Sequence, residues 1–292
     1  MSKRLTNFQQ RALFGIFGSI VVVGAILASH ETPFNYFFLL FLLAFQGLAL
    51  WEYYHIAKAK GYAPLSRLGI SFASTYILAR FFTINSPYLG FSSELVLYLF
   101  GLTSFVTYFT QQQKSIGNLG VTIFGLLYVT LPLSLFIDLN YGLTKNVSEQ
   151  TPLWLIFLIV ATKMTDTCAY FVGKLFGRRQ IAPLLSPQKT VEGLIGGLIG
   201  SCATGLVFVW ITHHYELSFS SQVSYNESAL LGLIIGMASV LGDLAESLLK
   251  RDAKVKDSSS LPGFGGVLDI VDSTLFTTPL LYIFLRLKII LS

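Results

Sequence analysis

Charged residues are scarce in this chain: 12% of its 292 residues are Asp, Glu, Lys or Arg, against roughly 25% in soluble domains. Set beside 53% hydrophobic residues and a mean hydropathy of +0.65, that scarcity excludes a water-soluble enzyme. Polar low-complexity tracts are also missing. With 14% aromatic residues, the composition is the opposite of a disordered or collagen-like chain, which cannot bury apolar surface. Cysteine is rare. Cys168 and Cys202 lie inside apolar runs and belong to no CxxC or HxxxH pattern, so they read as small buried residues rather than a disulfide or zinc site. The chain has no GxxxxGK[ST] phosphate loop and no internal repeat of the inverted-transporter kind. Nor does it have a Pro/Gly/Ser-rich linker leading to a separate soluble domain. Any chemistry therefore lies in the membrane or at its face.

What the chain does have is a succession of apolar runs. Crossing ~30 Å of hydrocarbon takes about 20 residues. Runs of that order occupy residues 12–29, 34–54, 68–84, 93–110, 116–139, 153–173, 193–212, 228–249 and 271–291. The third is the weakest, because Arg80 lies in it and Pro87 follows closely. The first, preceded by Lys3, Arg4 and Arg11, resembles the start of a signal peptide, but no small-residue cleavage site follows it and more spans do, so it is read as a retained span. The expected fold is an all-α polytopic integral membrane protein of about nine transmembrane helices. Residues 1–150 would form a five-span scaffold, and residues 151–292 a four-span catalytic region carrying two basic loops.

The net charge of +5 and pI near 9.1 could suggest nucleic acid, but the basic residues stand in small groups between apolar runs, and no nucleic-acid partner is expected. Sorting them by loop tests the nine-span scheme. Lys3, Arg4, Arg11, Lys58, Lys60, Arg67, Lys114, Lys174, Arg178, Arg179, Lys189, Lys250, Arg251, Lys254 and Lys256 fall on one side. Lys145 alone falls on the other, while Arg80, Lys163, Arg286 and Lys288 lie within spans. By the positive-inside rule this asymmetry predicts a cytoplasmic N-terminus, in the cell's inner membrane. The same sorting puts His213 and His214 on the outer side, and they are given no catalytic role.

Acidic residues of the first half, such as Glu31, Glu94 and Glu149, sit at span ends, where solvation explains them. The second half differs. Lys163 and Asp166 interrupt one span, Asp243 and Glu246 another, and Asp269 and Asp272 open the last. Each pair is three residues apart, hence on one helical face. An ionised group at membrane depth is costly unless paired, hydrated or bound to an ion, so such residues point to function.

Around them runs Gly242-Asp243-Leu244-Ala245-Glu246-Ser247-Leu248-Leu249-Lys250-Arg251, then Lys256-Asp257, then Pro262-Gly263-Phe264-Gly265-Gly266-Val267-Leu268-Asp269-Ile270-Val271-Asp272. Carboxylates flanking a Gly-rich turn supply hard oxygen ligands for Mg²⁺, and the basic segment supplies cations for phosphates. Glycines such as Gly265 and Gly266 let backbone N–H groups approach an anion closely. A second basic stretch, from Gly173 through Lys174, Arg178 and Arg179 to Lys189, faces the same side. Two basic, Gly-punctuated loops beside membrane-depth aspartates suggest a phosphorylated soluble substrate meeting a membrane-embedded one. Gly193, Gly196, Gly197 and Gly200 repeat at the spacing of close helix packing.

The string from Gly242 to Ser273 resembles the C-terminal signature of the CDP-diacylglycerol synthases, or phosphatidate cytidylyltransferases. That signature runs Ser-x-x-Lys-Arg, Lys-Asp, Pro-Gly-His-Gly-Gly, Asp-Arg-x-Asp. Segments 166–178 and 186–197 are similar to that family's upstream blocks, so the resemblance covers about the last 130 residues. It departs in three places. Phe264 stands where the family has histidine, Ile270 where it has arginine, and the stretch between Asp257 and Pro262 is one residue shorter.

The resemblance implies attack by the phosphate of phosphatidic acid on CTP, with the bilayer as milieu and room for a homodimer. It also implies Asp243 and Asp269 as Mg²⁺ ligands supported by Asp272, with a second cation admitted. Lys250, Arg251 and Lys256 would neutralise CTP phosphates, and Asp257 would orient that segment. Lys189 and Asp166 would contribute from neighbouring elements. Two other readings use the same carboxylates: a secondary transporter or ion channel, and a CTP-dependent polyprenol kinase-like enzyme.

Overall fold

The structure is a computed structural model, and it describes residues 22–85, 92–111, 115–142, 151–215, 223–255 and 266–291. Its elements follow the apolar runs closely. Residues 22–28 are helical (α1), followed by α2 (Phe34–Ala59), α3 (Ser66–Asn85), α4 (Ser93–Gln111) and α5 (Ser115–Gly125). Next come α6 (Leu131–Ile137) and α7 (Thr151–Phe176). The strands β1 (Gln180–Ala182) and β2 (Ser186–Thr190) precede α8 (Val191–His214), α9 (Tyr225–Asp252) and α10 (Val267–Leu291).

Seven helical segments among the described residues are long and apolar enough to cross a membrane. The expected count of nine thus stands at seven there. Most of the first expected span lies outside the described residues, and α3, which carries Arg80, forms a helix but is not among the seven. Large apolar side chains project outward, Phe109 at 85% exposure and Ile116 at 89%. That is the surface a lipid-solvated bundle presents, because lipid does not penalise exposed hydrocarbon.

Two features depart from the uniform spans expected. The run at 116–139 is not one regular helix. A π-helical turn over Leu126–Thr130 separates α5 from α6, and a second over Asp138–Gly142 follows α6. Pro132 lies in the first turn of α6 and lacks an N–H, which leaves the preceding ladder one donor short. The other departure is an antiparallel β1–β2 hairpin in the basic connection before α8, pairing Gln180 with Thr190 and Ala182 with Ser186.

Packing in the second half relies on glycine, as its spacing suggested. A Cβ on Gly193 would stand 2.8 Å from the Ala169 carbonyl, and one on Gly196 2.5 Å from Val172. A Cβ on Gly197 would stand 2.9 Å from the Thr165 carbonyl, and one on Gly200 2.6 Å from the half-buried Cys168 Sγ. Only hydrogen at these positions lets α8 lie against α7. The first half is joined by aromatic residues instead. Tyr53 and Tyr54 of α2 donate to the carbonyls of Val121 and Thr122 in α5, at 3.2 and 2.9 Å.

The connections sort into two ends. At one, Lys60 Nζ lies 2.6 Å from Asp252, the Ala63 N–H donates to Asn118 Oδ1 at 2.9 Å, and Arg251 Nε donates to the Leu185 carbonyl in the hairpin at 3.2 Å. At the other, Asn140 donates to Ser29 Oγ at 2.7 Å and Lys288 pairs with Glu227. This grouping matches the charge sorting. The basic connections after α2, after α7, in the hairpin and after α9 share one end.

Candidate active site

Three helices cross at that basic end, and their closest approach carries the carboxylates. A Cβ on Gly242 of α9 would stand 2.5 Å from the Asp272 carbonyl of α10. Glycine there brings Asp243 against Asp272, which is only 5% exposed. Asp166 of α7 joins them, accepting from Ser239 Oγ of α9 at 3.3 Å, with Lys163 Nζ 3.9 Å away. Two turns nearer the end of α9, Lys250 Nζ lies 3.0 Å from Glu246 and pairs with Asp269. Lys189, delivered by β2, lies 2.7 Å from Asp243 Oδ2. Sequence reasoning nominated Asp166, Lys189, Asp243, Lys250, Asp269 and Asp272, and the fold brings all six together.

The surrounding backbone is fixed by caps. Thr190 caps α8 by accepting the Gly193 N–H at 3.1 Å. Glu192 accepts the N–H groups of Arg178 and Arg179 at 2.9 and 3.2 Å, joining the end of α7 to the start of α8. The Gly266 N–H donates to Asp269 Oδ2 at 3.2 Å. At the far end of the basic segment, Lys254 closes α9 in a left-handed conformation, φ 56°, usually reserved for glycine.

One residue of the site escaped sequence reasoning. Glu52, in α2, is 1% exposed and accepts from the N–H groups of Val267 and Leu268 at 3.0 and 2.7 Å. These are free donors at the N-terminus of α10, and a carboxylate there is favoured by both hydrogen bonding and the helix dipole. Through it the first half fixes the helix that carries Asp269 and Asp272. Its signal in the sequence was a glutamate inside an apolar run, indistinguishable from a residue at a span end.

Not every nominated residue can be placed in this cluster. Lys256, Asp257 and Gly265 lie outside the described residues, as does Phe264. Arg251 is exposed, and its Nε is taken by the hairpin. Lys163 Nζ donates to the Ile270 carbonyl at 3.3 Å, so an ammonium stands beside the position where the signature has arginine.

Among the described residues, no three carboxylate, imidazole or thiolate groups converge closely enough to enclose a metal ion. Asp243 and Asp269 each face a lysine instead. The donor set nonetheless fits a hard divalent cation. Asp166, Asp243, Glu246, Asp269 and Asp272 outnumber the ammonium groups of Lys163, Lys189 and Lys250 among them. An excess of carboxylates at membrane depth favours a bound cation, and oxygen ligands suit Mg²⁺.

Residues 9–288 match the Cytidylyltransferase family. The chain is 42% identical over 172 residues to a phosphatidate cytidylyltransferase of Chlamydia muridarum, a stretch covering 57% of this chain and 54% of that protein. It thus spans about half the length of that relative. It is 35% identical over 268 residues to a phosphatidate cytidylyltransferase of Chlamydia pneumoniae, covering 89% of this chain and 86% of the relative. Against that of Bacillus subtilis it is 29% identical over 290 residues, covering 97% and 99%.

Proposed function

The chain belongs to the cytidylyltransferase family, and from that premise we propose that it transfers the CMP moiety of CTP to phosphatidic acid, giving CDP-diacylglycerol and pyrophosphate. The observation that carries this reading is the carboxylate-rich crossing of α7, α9 and α10, flanked by Lys189 and Lys250 at the basic end of the bundle. A phosphate oxygen of phosphatidic acid attacks the α-phosphorus of CTP, a new P–O bond forms, and the bond to the β-phosphate oxygen breaks. The attacking group is a phosphomonoester whose second pKa is about 6. It is anionic at neutral pH, no general base is required, and phenylalanine at 264 is compatible with turnover.

The demands on the protein are therefore positioning and charge neutralisation. Lys250, Arg251 and Lys256 receive the CTP phosphates at the basic end, Lys189 adds a cation from the hairpin, and Asp257 orients the segment that bears Lys256. Gly265 would offer its backbone N–H to a phosphate, and Gly266, whose N–H holds Asp269, would do so once that carboxylate turns to a cation; Asp166 would contribute to substrate binding from α7. Asp243, Asp269 and Asp272 would hold Mg²⁺, which when bound offsets phosphate charge, and a second cation would draw on Asp166 and Glu246. Occupation requires the ammonium groups of Lys189 and Lys250 to turn from carboxylate to phosphate, which the flexible lysine stem allows.

The site lies on the cytoplasmic face of the cell's inner membrane, by the charge asymmetry of the connections. The test is incubation of detergent-purified protein with labelled CTP, phosphatidic acid and MgCl₂, followed by lipid extraction. Label in CDP-diacylglycerol is the expected result. Label in a polyprenyl phosphate, or none in lipid, would overturn the reading.

A further inference from the structure

Tyr128 belongs to the half of the chain that the signature does not touch, yet it packs against the helix that bears Asp269 and Asp272. It lies on the π-helical turn between α5 and α6, packed against Tyr53, Phe124 and Phe276 with ring separations of 6.0, 5.7 and 6.4 Å. The residue is 8% exposed, and its hydroxyl has no hydrogen-bond partner among the described residues. Buried tyrosine hydroxyls usually find a partner, and π-helical turns are frequent at functional sites. Its ring partner Phe276 lies on α10, the helix that bears Asp269 and Asp272.

Its direction of approach narrows what it meets. Phe276 lies one turn beyond Asp272 along α10, ~6 Å deeper at 1.5 Å per residue. Lys250 pairs with Asp269, one turn nearer the helix start. Tyr128 therefore borders the cluster on its bilayer flank, away from the cations that receive nucleotide. A ligand there must offer an acceptor to the phenol and must also be reconciled with the carboxylates one turn away on α10. A phosphomonoester accompanied by a divalent cation meets both demands.

We propose that Tyr128 is a substrate-binding residue of this site, its hydroxyl donating a hydrogen bond to a phosphate oxygen of the lipid substrate. The proposal rests on the cytidylyl-transfer reading. Its test is Tyr128→Phe, which removes the hydroxyl alone, beside Ser104→Ala, which removes another unpartnered buried hydroxyl from α4. In Tyr128→Phe, KM for phosphatidic acid should rise about tenfold, the order expected for one hydrogen bond to a charged oxygen. KM for CTP should stay within about twofold, and Tm should hold or rise. Ser104→Ala should leave both constants unchanged.

An unchanged KM for phosphatidic acid, a rise confined to CTP, or a fall in Tm would each overturn the assignment. The Tm rise on adding phosphatidic acid in mixed micelles with MgCl₂ gives a readout independent of turnover. If the wild type made no CDP-diacylglycerol but showed a rise that Tyr128→Phe abolished, the transfer reading would fail and the contact would stand. Equal rises in the two proteins would overturn the contact.

Discussion

Arg80, Asp138 and Glu94 form one charge group within the bundle. The carboxylates of α7, α9 and α10, with Lys163, Lys189 and Lys250, form the other. In the first, Arg80 gives two guanidinium hydrogen bonds to Asp138, at 2.6 and 3.0 Å, and reaches the exposed Glu94 at 3.4 Å. Asp138 is 1% exposed and its two oxygens are both engaged. In the second, carboxylates outnumber ammonium groups, and Asp243 and Asp269 remain accessible from the basic end. The first group is closed and paired, as a structural ion pair must be in low dielectric. The second is open and has more carboxyl groups than ammonium groups, which suits a site that takes up cations and phosphates. Charge balance and access separate the two groups.

The comparison makes its largest claim at the open group. Asp243→Asn and Asp269→Asn keep side-chain size while removing charge, and each should lower kcat/KM by roughly 10²-fold or more, since impaired charge neutralisation by a metal amounts to several kcal/mol. Both should raise the Mg²⁺ requirement while membrane insertion and Tm hold. If each kept more than about half the wild-type rate at limiting Mg²⁺, the open group would not be the site.

Asp138→Asn should behave in the opposite way. Breaking a buried pair leaves Arg80 uncompensated, and with Arg80 23% exposed the loss should be about 2 kcal/mol of stability. Activity per folded molecule should persist. Thermal unfolding followed by an activity assay on the folded fraction separates the two effects.

Gly242→Ala sharpens the open group from its backbone. The added methyl meets the Asp272 carbonyl and should cost about 1 to 2 kcal/mol through overpacking. It should also lower kcat/KM by about tenfold as Asp243 and Asp272 are pushed apart. A stability loss without a rate loss would mean that their separation does not matter.

The smallest effects belong to exposed charges. Asp252→Asn, which removes the Lys60 pair, should change stability by less than about 1 kcal/mol, as surface pairs do. Glu94→Gln, at the rim of the closed group, should be nearly silent in activity.

Much of this division was legible in the sequence. Asp166, Lys189, Asp243, Lys250, Asp269 and Asp272 interrupt or border apolar runs, and a charge in such a run is visible without coordinates. The glycines of α8 announced close packing by their spacing. Glu52 and Tyr128 were not legible, because a glutamate near a span end and a tyrosine among aromatics carry no pattern. Their meaning comes from where α2 and the π-helical turn meet α10. The hairpin was missed because Gln180–Ala182 and Ser186–Thr190 are too short and polar to show alternation. The π-helical turns were missed because hydropathy does not register a shift of one residue in hydrogen bonding. Arg80 marks the weakest span in the sequence, and α3 is indeed not among the seven; what the sequence does not show is its closed pair with Asp138, 58 residues away.

The most direct measurement is the rise in Tm that CTP with MgCl₂ produces in detergent-purified protein, since a ligand that binds the folded state stabilises it by mass action. The wild type should show the rise, Asp138→Asn should keep it from a lower starting Tm, and Asp243→Asn and Asp269→Asn should lose most of it. A rise undiminished in both Asp243→Asn and Asp269→Asn, and abolished in Asp138→Asn, would contradict the assignment of the open carboxylate group as the nucleotide and metal site.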